Sequence, residues 1–331
     1  MELFDYLDTI DHDGKLSLDE FRQLFPSLFY SVKTKTSYKN DKIESLITSL
    51  LKLTKQDYVD KTRFNFIWDK WIQVILKPKT ALIIVDMQND FVDINGTMHN
   101  PEAYQVVEVI NQLIQNVLFD VVVYTYDWHP ANHCSFVESV HNRSIHRPIK
   151  YTIPPGKSPE ELKYGDQVVY EKYPDIKQHL WYKHCVQNTT GADLYGQLIK
   201  TKNNFTIPKG TDPDIDSYSA FADNGHNKSS RKQTSLHNDL QNRNITDIYL
   251  TGVLYDYCVG YTALDGLEKN YRTVLIEDCI KGKDNNTIDA MKQTLITKYA
   301  NLVQSYQVSD IVDATDRKPE MSYKLAEKVF K

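Results

Sequence analysis

Six short apolar runs, separated by amphipathic stretches, constrain the fold of this chain more than any other feature of its 331 residues. The first run, ALIIVDM, is apolar up to Asp86, as expected for a strand that is buried on both faces. The other five follow in order along the chain, and they read DVVVYTYD, NNFTIPK, TDIYLTGV, YRTVLIED and NLVQSYQV. We expect an α/β fold in which a doubly wound, mainly parallel six-stranded sheet is flanked by helices.

The stretches between the runs have the apolar spacing and the end signals of helices. One of them, NPEAYQVVEVINQLIQNV, offers Asn100 as an N-cap and Pro101 at the first helical position. Four further helices are predicted at GADLYGQLIK, TSLHNDLQNRN, VGYTALDGLEKN and IDAMKQTLITKYA. Residues 139–183 are instead rich in Pro, Lys and Tyr, and connections of this length usually have a functional role. We interpret them as an insertion that covers one rim of the ligand site.

The composition excludes several classes of function. A formal net charge of −5 provides no general attraction for nucleic acid or an anionic membrane, so neither is expected as a partner. The acidic start MELFDYLDTI lacks the layout of a signal peptide, and no apolar stretch approaches the ~20 residues that cross a bilayer. The four cysteines do not form a close-spaced disulfide framework. We therefore expect a cytoplasmic protein, with the nucleus as an additional location.

Three of the expected strands end in residues that are suited to catalysis. Asp86, Lys209 and Cys258 close the first, third and fourth runs, and the carboxyl ends of parallel strands meet at one edge of a sheet. Taken alone, Cys258 has two interpretations, because a free cysteine is either a small buried hydrophobe or a nucleophile at the N-terminus of a helix. A carboxylate base, a lysine cation and a thiol together form an activated nucleophile. We therefore predict that Cys258 attacks a substrate.

A second group of residues has the spacing of metal ligands. Asp127 and His129 lie two residues apart, so in an extended chain both side chains point to the same face. His184, further along in LWYKHCVQN, is the preferred third ligand, and His133 competes with it for that role. One carboxylate and two imidazoles suit zinc or another first-row ion and leave positions open for water or substrate.

Five stretches that contain these residues resemble the nicotinamidases, a group within the isochorismatase-like cysteine hydrolases. The stretches lie in the right order within residues 80–312, and they are ALIIVDMQNDF, YDWHPANHCSF, LWYKHCVQNTTGADL, PKGTDPDIDSYSAF and GVLYDYCVGYTALDGL. The resemblance implies that Asp86, Lys209 and Cys258 form a catalytic triad.

The same resemblance implies the groups that bind the substrate. The residues that match the family's metal ligands are Asp127, His129 and His184. The residues that match the walls of its ring pocket are Phe91, Trp181, Tyr218 and Tyr257. A cis peptide is expected between Val253 and Leu254, and the backbone amides of Leu254 and Cys258 would form an oxyanion hole. Leu254 stands where the family often has alanine, which leaves the shape of this corner open.

The implied reaction is the hydrolysis of nicotinamide to nicotinic acid and ammonia, a step of NAD salvage, through a thioester on Cys258. One divalent metal, with Zn²⁺ the first choice, would bind the pyridine nitrogen and orient the ring. Isochorismatases lack the cysteine, and carbamoyl-amide hydrolases of the family do not need the metal ligands. The alternatives are an amidase of another small amide and a calcium-responsive interaction protein that uses the hydrolase fold as a docking surface. Assembly into a homo-oligomer is left open.

Residues 1–77 are helical and charged and resemble a small all-α, EF-hand-like domain, so the hydrolase domain is predicted to span residues 78–331. With Gly14 at the sixth position of an EF-hand loop, candidate calcium ligands fall at the third, fifth, ninth and twelfth positions. These candidates are Asp11, Asp13, Ser17 and Glu20. The first position falls on Thr9, and the partner segment TKQDYVDKTRF has no ligand set. The expectation is either weak Ca²⁺ binding or a helical appendage that packs on the hydrolase domain.

Overall fold

The computed structural model describes residues 3–330, apart from residues 10–11, 39–40, 42–43, 47, 49–57, 146–157 and 226–230. The strands are β1 Lys15–Ser17, β2 Tyr30–Ser31, β3 Thr36–Ser37, β4 Tyr58–Asp60, β5 Thr80–Val85, β6 Val121–Asp127, β7 Gln167–Val168, β8 Gln178–His179, β9 Asn204–Lys209, β10 Asp247–Val253, β11 Arg272–Lys281 and β12 Asn301–Val303. Six of them form the central sheet, in the order β12-β11-β10-β5-β6-β9, and each neighbouring pair is parallel. These six coincide with the six apolar runs, so the predicted sheet is confirmed.

Helices cover this sheet and also occur in the N-terminal region. The α-helices with described bounds are α1 Leu3–Leu7, α2 Leu18–Arg22, α3 Phe25–Leu28, α4 Lys61–Ile67, α5 Gln73–Leu76, α6 Asn89–Val92, α7 Ala103–Asn116, α8 Leu236–Asn242, α9 Gly260–Glu268, α10 Asn285–Thr297, α11 Ser305–Val312 and α12 Tyr323–Phe330. A π-helical turn at Trp68–Ile72 joins α4 to α5, and a kinked turn at Tyr255–Val259 precedes α9. Within the described part of the chain, no helix has both the length and the apolar character that crossing a membrane requires.

Both faces of the central sheet are buried. Leu82 and Ile84 of β5 pack on one face, in a cluster that also includes residues of α7 and α11. Ala81, Ile83 and Val85 of the same strand pack on the other face, where α8 and α9 contribute. Successive side chains of a strand point to opposite faces, so a strand covered on both sides has no position for a polar residue. This explains why the first run is continuously apolar rather than alternating.

The helix predicted at GADLYGQLIK does not form, and only a 3₁₀ turn at Thr190–Ala192 remains. The Asn111 side chain on α7 donates to the carbonyl of Gln197 at 2.9 Å and accepts from the amide of Ile199 at 2.8 Å. These backbone groups therefore bond to a neighbouring helix instead of to each other. The helical spacing of the segment does not reveal this competing partner.

The strand predicted at NLVQSYQV is also shorter than expected, because only Asn301–Val303 is extended and α11 begins at Ser305. Gln304 and Gln307 form a capping box at the start of α11, and Asp278 accepts from the Ser305 amide at 2.8 Å. These bonds satisfy amide groups that the first turn of a helix leaves without partners.

The N-terminal region contains strands as well as helices, so the prediction of an all-α domain is wrong in this respect. β1 pairs antiparallel with β4, and Leu16 lies opposite Val59 in that ladder. β2 pairs antiparallel with β3. Leu16 and Val59 are both buried in the apolar core of the region, so the ladder brings two otherwise separate segments into one core.

The core of the N-terminal region also includes the last helix of the chain. Apolar side chains of α12 pack among those of the N-terminal helices, and they are Leu325, Ala326 and Val329. Arg317 donates to the carbonyls of Leu28 at 2.7 Å and Ser27 at 2.8 Å, and Trp71 donates to the Ser322 carbonyl at 3.4 Å. The C-terminal segment therefore contributes both to the core on one face of the central sheet and to the N-terminal core.

Candidate active site

The carboxyl edge of the central sheet gathers the predicted triad. Asp86 directly follows β5, Lys209 ends β9, and Cys258 lies in the kinked turn that follows β10. β6 lies between β5 and β9, and its last residue, Asp127, pairs in register with Lys209. Four separate segments thus bring one thiol, one ammonium and two carboxylates to one place.

Lys209 connects these groups through its ammonium. Its Nζ lies 2.5 Å from Asp127 Oδ1, 2.9 Å from Asp86 Oδ2 and 3.2 Å from Cys258 Sγ, and it donates to the Ser217 carbonyl at 3.1 Å. Burial lowers the pKa of Lys209, but Asp127 and Asp86 outweigh burial and hold this pKa well above its usual value. Lys209 is therefore a fixed positive charge between two carboxylates and the thiol.

The protonation of Asp86 and Cys258 is set mainly by burial. Burial raises the pKa of Asp86, and the Lys209 charge offsets only part of that rise. Thr125 donates its hydroxyl to Asp86 Oδ1 at 2.7 Å, which fixes the carboxylate. Burial also raises the pKa of the Cys258 thiol well above its usual value, against the opposing effect of Lys209. Cys258 therefore rests as a thiol, and a carboxylate oxygen of Asp86 lies within 4.8 Å of Sγ.

The end of β10, which leads into the turn that contains Cys258, is tightly packed against β5. A Cβ atom at Gly252 would lie 2.1 Å from the Val85 carbonyl oxygen, and Gly252 has φ +106°, so only glycine fits there. The peptide bond between Val253 and Leu254 is cis, as the family resemblance implies. Leu254 and Cys258 both line the cavity beside this turn. The oxyanion hole formed by their amides stays a prediction.

The three preferred metal ligands also come together. Asp127 Oδ2 lies 3.6 Å from His129 Nε2 and 3.8 Å from His184 Nε2. His129 Nδ1 bonds to the Gly210 carbonyl at 2.8 Å and His184 Nδ1 to the Tyr182 carbonyl at 2.7 Å, so each imidazole directs Nε2 toward Asp127. Burial tends to raise the pKa of Asp127, but Lys209 and His129 hold this pKa well below its usual value, so Asp127 is a carboxylate.

His133, the competing third ligand, lies beside this group rather than within it. Its ring stacks on that of His129 at 4.1 Å, and its Nδ1 is 2.7 Å from the Ser135 hydroxyl. Its Nε2 is 3.3 Å from the Ile215 carbonyl. The structure thus groups His184, and not His133, with Asp127 and His129, while His133 has a separate close grouping with His129 and Asp216.

A cavity opens next to both groups. All four predicted ring-pocket residues line it, and they are Phe91, Trp181, Tyr218 and Tyr257. Tyr257 meets Trp181 edge to face, with centroids 5.0 Å apart, and meets Tyr218 in the same way at 5.4 Å. The lining includes Cys258 and the three candidate metal ligands. The cavity is therefore lined by aromatic side chains together with the candidate nucleophile and the candidate metal ligands.

The sequence interpretation misses two side chains that hold this arrangement in place. Gln88 accepts from the Asp127 amide at 2.8 Å and donates to the carbonyls of Asp127 at 2.8 Å and Ala192 at 2.9 Å. Asp90 accepts from the amide of Cys185, the residue after His184, at 2.7 Å. Both are buried polar residues within five positions of the end of β5, Gln88 before α6 and Asp90 within it. The signal in the sequence is that both polar residues come shortly after the end of a buried strand.

Comparison with known proteins agrees with this geometry. The Isochorismatase domain family matches residues 80–307. The nicotinamidase of Escherichia coli (strain K12) is 36% identical over 207 residues, which is 62% of this chain and 84% of the E. coli protein. The solved nicotinamidase pyrazinamidase of Acinetobacter baumanii is 32% identical with a TM-score of 0.58, covering 70% of this chain and 98% of that chain.

A third comparison concerns a structure with a metal. The pyrazinamidase of Pyrococcus horikoshii, solved in complex with zinc, is 28% identical with a TM-score of 0.51, covering 69% of this chain and 99% of that chain. The chain therefore belongs to the isochorismatase family, and residues 1–79 precede the part that the family matches.

Proposed function

We propose that this protein is a nicotinamidase, which hydrolyses nicotinamide to nicotinic acid and ammonia. The observation that supports the proposal best is Lys209, which joins Cys258 and Asp86 to the candidate metal ligand Asp127 in one buried network. The adjoining cavity, which is lined by the aromatic side chains of Phe91, Trp181 and Tyr257, suits a flat ring that bears one carboxamide. Nicotinamidases among the relatives and the solved structures support the same substrate.

In the first half of the reaction, Asp86 acts as the general base. Because the Cys258 thiol keeps its proton at rest, Asp86 must remove that proton as Sγ attacks the carboxamide carbon. The S–C bond forms while the carbonyl electrons move to oxygen. Lys209 stabilises the developing thiolate from 3.2 Å. The amides of Leu254 and Cys258 are proposed to stabilise the oxyanion, and one such donor is typically worth about 3 kcal/mol.

In the second half, Asp86 shuttles the proton onward. It protonates the amide nitrogen, the C–N bond breaks, and ammonia leaves a thioester on Cys258. A water molecule then gives a proton to Asp86, and its oxygen bonds to the acyl carbon. The C–S bond breaks, Cys258 recovers its proton, and nicotinic acid departs. One water is consumed for each amide, and the enzyme returns to its starting protonation state.

Asp127, His129 and His184 are proposed to hold one divalent metal. Their donor atoms fit that role, because Asp127 is a buried carboxylate. Each imidazole bonds to a backbone carbonyl through Nδ1 and directs its Nε2 toward the Asp127 carboxylate. When bound, the metal would supply a Lewis acid that binds the ring nitrogen and orients the ring. Zn²⁺ is the first choice, and the zinc complex of the Pyrococcus horikoshii pyrazinamidase supports it.

The test is ammonia release from nicotinamide by the purified full-length protein loaded with zinc. We expect release by the wild type and none above background by Cys258→Ala. Cys279→Ala is the matched control, since Cys279 is another buried free cysteine, which lies on β11 and packs in the apolar core instead of lining the cavity. Loss of activity in both variants would contradict the assignment of the nucleophile. Release from another small amide, with none from nicotinamide, would favour the alternative amidase.

The calcium site in the N-terminal region remains a separate proposal, and Asp11 lies outside the described residues. The Gly14 amide donates to Asp8 at 3.0 Å, and the Glu20 carboxylate accepts from the amides of Thr9 at 2.9 Å and Ser17 at 2.8 Å. A calcium ion would have to compete with these donors for Glu20, so we expect weak binding. Calorimetric titration with Ca²⁺ tests this, and Glu20→Gln should abolish any heat that comes from the loop.

A further inference from the structure

The wall of the cavity formed by Trp181 is supplied by the insertion rather than by the central sheet. Trp181 is buried, and its backbone amide donates to the Ser135 carbonyl at 2.8 Å. On the cavity side its ring meets Tyr257 edge to face at 5.0 Å. Tyr164, also in the insertion, meets Trp181 edge to face at 5.7 Å. The contacts that hold these two rings in place therefore fix the position of this wall of the ring pocket.

Lys283 contacts both of these rings from outside the insertion. Its ammonium lies 4.5 Å from the centroid of the Trp181 ring and 4.6 Å from that of Tyr164. Both distances are within the range of a cation–π interaction. Among the residues the structure describes as lining the cavity, neither Lys283 nor Tyr164 is present. Lys283 therefore contacts the wall without reaching a bound ring.

The backbone of Lys283 is fixed to the turn that carries the nucleophile. Its amide donates to Asp256 Oδ1 at 2.9 Å, and the hydroxyl of Thr287 donates to Asp256 Oδ2 at 2.6 Å. Asp256 is buried and immediately precedes Tyr257, the residue that faces Trp181. Lys283 thus links two adjoining walls of the pocket, because its backbone is bound to the segment of Tyr257 and its ammonium contacts the ring of Trp181.

We propose that Lys283 is a positioning residue that holds Trp181 at its working distance from Tyr257 and thereby sets the affinity of the pocket for the substrate ring. This inference rests on the proposed function, since it concerns the binding of the same ring. An exposed lysine normally has no such role, but two ring contacts and an anchored backbone distinguish Lys283 from a solvated side chain.

The test compares the steady-state kinetics of nicotinamide hydrolysis in Lys283→Met, Lys283→Arg and the wild type. Methionine keeps an apolar side chain over the rings but removes the charge, whereas arginine keeps a cation that stacks on aromatic rings. We expect Lys283→Met to raise KM about three- to tenfold with kcat nearly unchanged, as loss of ring binding without loss of transition-state contacts requires. Lys283→Arg should keep a KM close to that of the wild type.

Lys269→Met is the matched control, because Lys269 rests over Phe221 at 5.8 Å beyond the far end of α9. It should leave KM unchanged. Tyr164→Leu completes a double-mutant cycle, in which Lys283→Met should have a smaller effect once one of its two rings is gone. Unchanged KM in Lys283→Met, equal shifts in Lys269→Met, or a fall in kcat alone would each overturn this inference while leaving the proposed function intact. An inactive wild type would overturn both.

Discussion

Replacement of Gln88 by methionine should separate the assembly of the metal ligands from the general stability of the fold. The side chain of Gln88 makes three hydrogen bonds in the buried interior, two to the backbone of Asp127 and one to the carbonyl of Ala192. Methionine has a similar length but cannot replace any of them. At a net value of about 1 kcal/mol for each bond, we expect the free energy of unfolding to fall by about 3 kcal/mol.

The effect on the metal should exceed what this loss of stability explains. Gln88 holds both the amide and the carbonyl of Asp127, whose Oδ2 must stay beside the Nε2 atoms of His129 and His184. Partners of this kind around a metal site typically contribute a factor of about 10–100 in metal affinity. We therefore expect zinc affinity, measured by competition with a chelator, to fall by that factor, and kcat/KM to fall with it at limiting zinc.

Asn111→Leu provides the control, because Asn111 is another buried amide that clamps a loop backbone, through two hydrogen bonds. We expect this variant to lose about 2 kcal/mol of unfolding free energy in urea titrations, with zinc affinity unchanged. If Gln88→Met binds zinc within about twofold of Asn111→Leu, the reasoning is refuted, since Asp127 would then keep its place without the clamp.

Three further predictions concern the same site. Gly210→Ala should lower zinc affinity by about tenfold or more, because the added Cβ would lie 2.3 Å from His129 Cε1 at a residue with φ +61°. The control is Gly165→Ala, because Gly165 has φ +86° but open space around it, so this variant should strain the backbone and leave zinc affinity unchanged. Thr125→Val removes a donor from the Asp86 carboxylate, so the already raised pKa of Asp86 should rise further and the acid limb of kcat/KM should move to higher pH. Removal of metal by a chelator should abolish hydrolysis of nicotinamide, and added zinc should restore it.

The central sheet could be predicted because an inner strand such as β5 is buried along its whole length, which leaves a continuous apolar run in the sequence. The same topology explains why residues far apart in sequence could be grouped. Asp86, Lys209 and Cys258 each follow or end a strand, and parallel strands end at one edge. Their grouping required only the order of elements and no knowledge of the loops.

Features that depend on one side chain bonding to a distant backbone could not be predicted in this way. Gln88 is two residues from Asp86, yet its partners lie 39 and 104 positions along the chain. Asn111 likewise prevents a helix at residues 191–200 through bonds that helical spacing does not encode. A periodic pattern reports which face of a segment is apolar, whereas these side chains act through polar groups that no periodicity marks.

The two ends of the chain show the same limit at the level of domains. The sequence suggests a division near residue 77, yet Leu325 and Val329 of α12 pack in the N-terminal core with Trp71. An apolar stripe in the sequence indicates that a helix buries one face, but it does not indicate which part of the protein packs against that face. Removal of the N-terminal region alone would therefore expose the apolar face of α12 and leave the carbonyl-bound guanidinium of Arg317 without its partners at Ser27 and Leu28. A hydrolase fragment that begins near residue 80 consequently lacks part of its own structural support, even though the residues of the candidate site all lie within it.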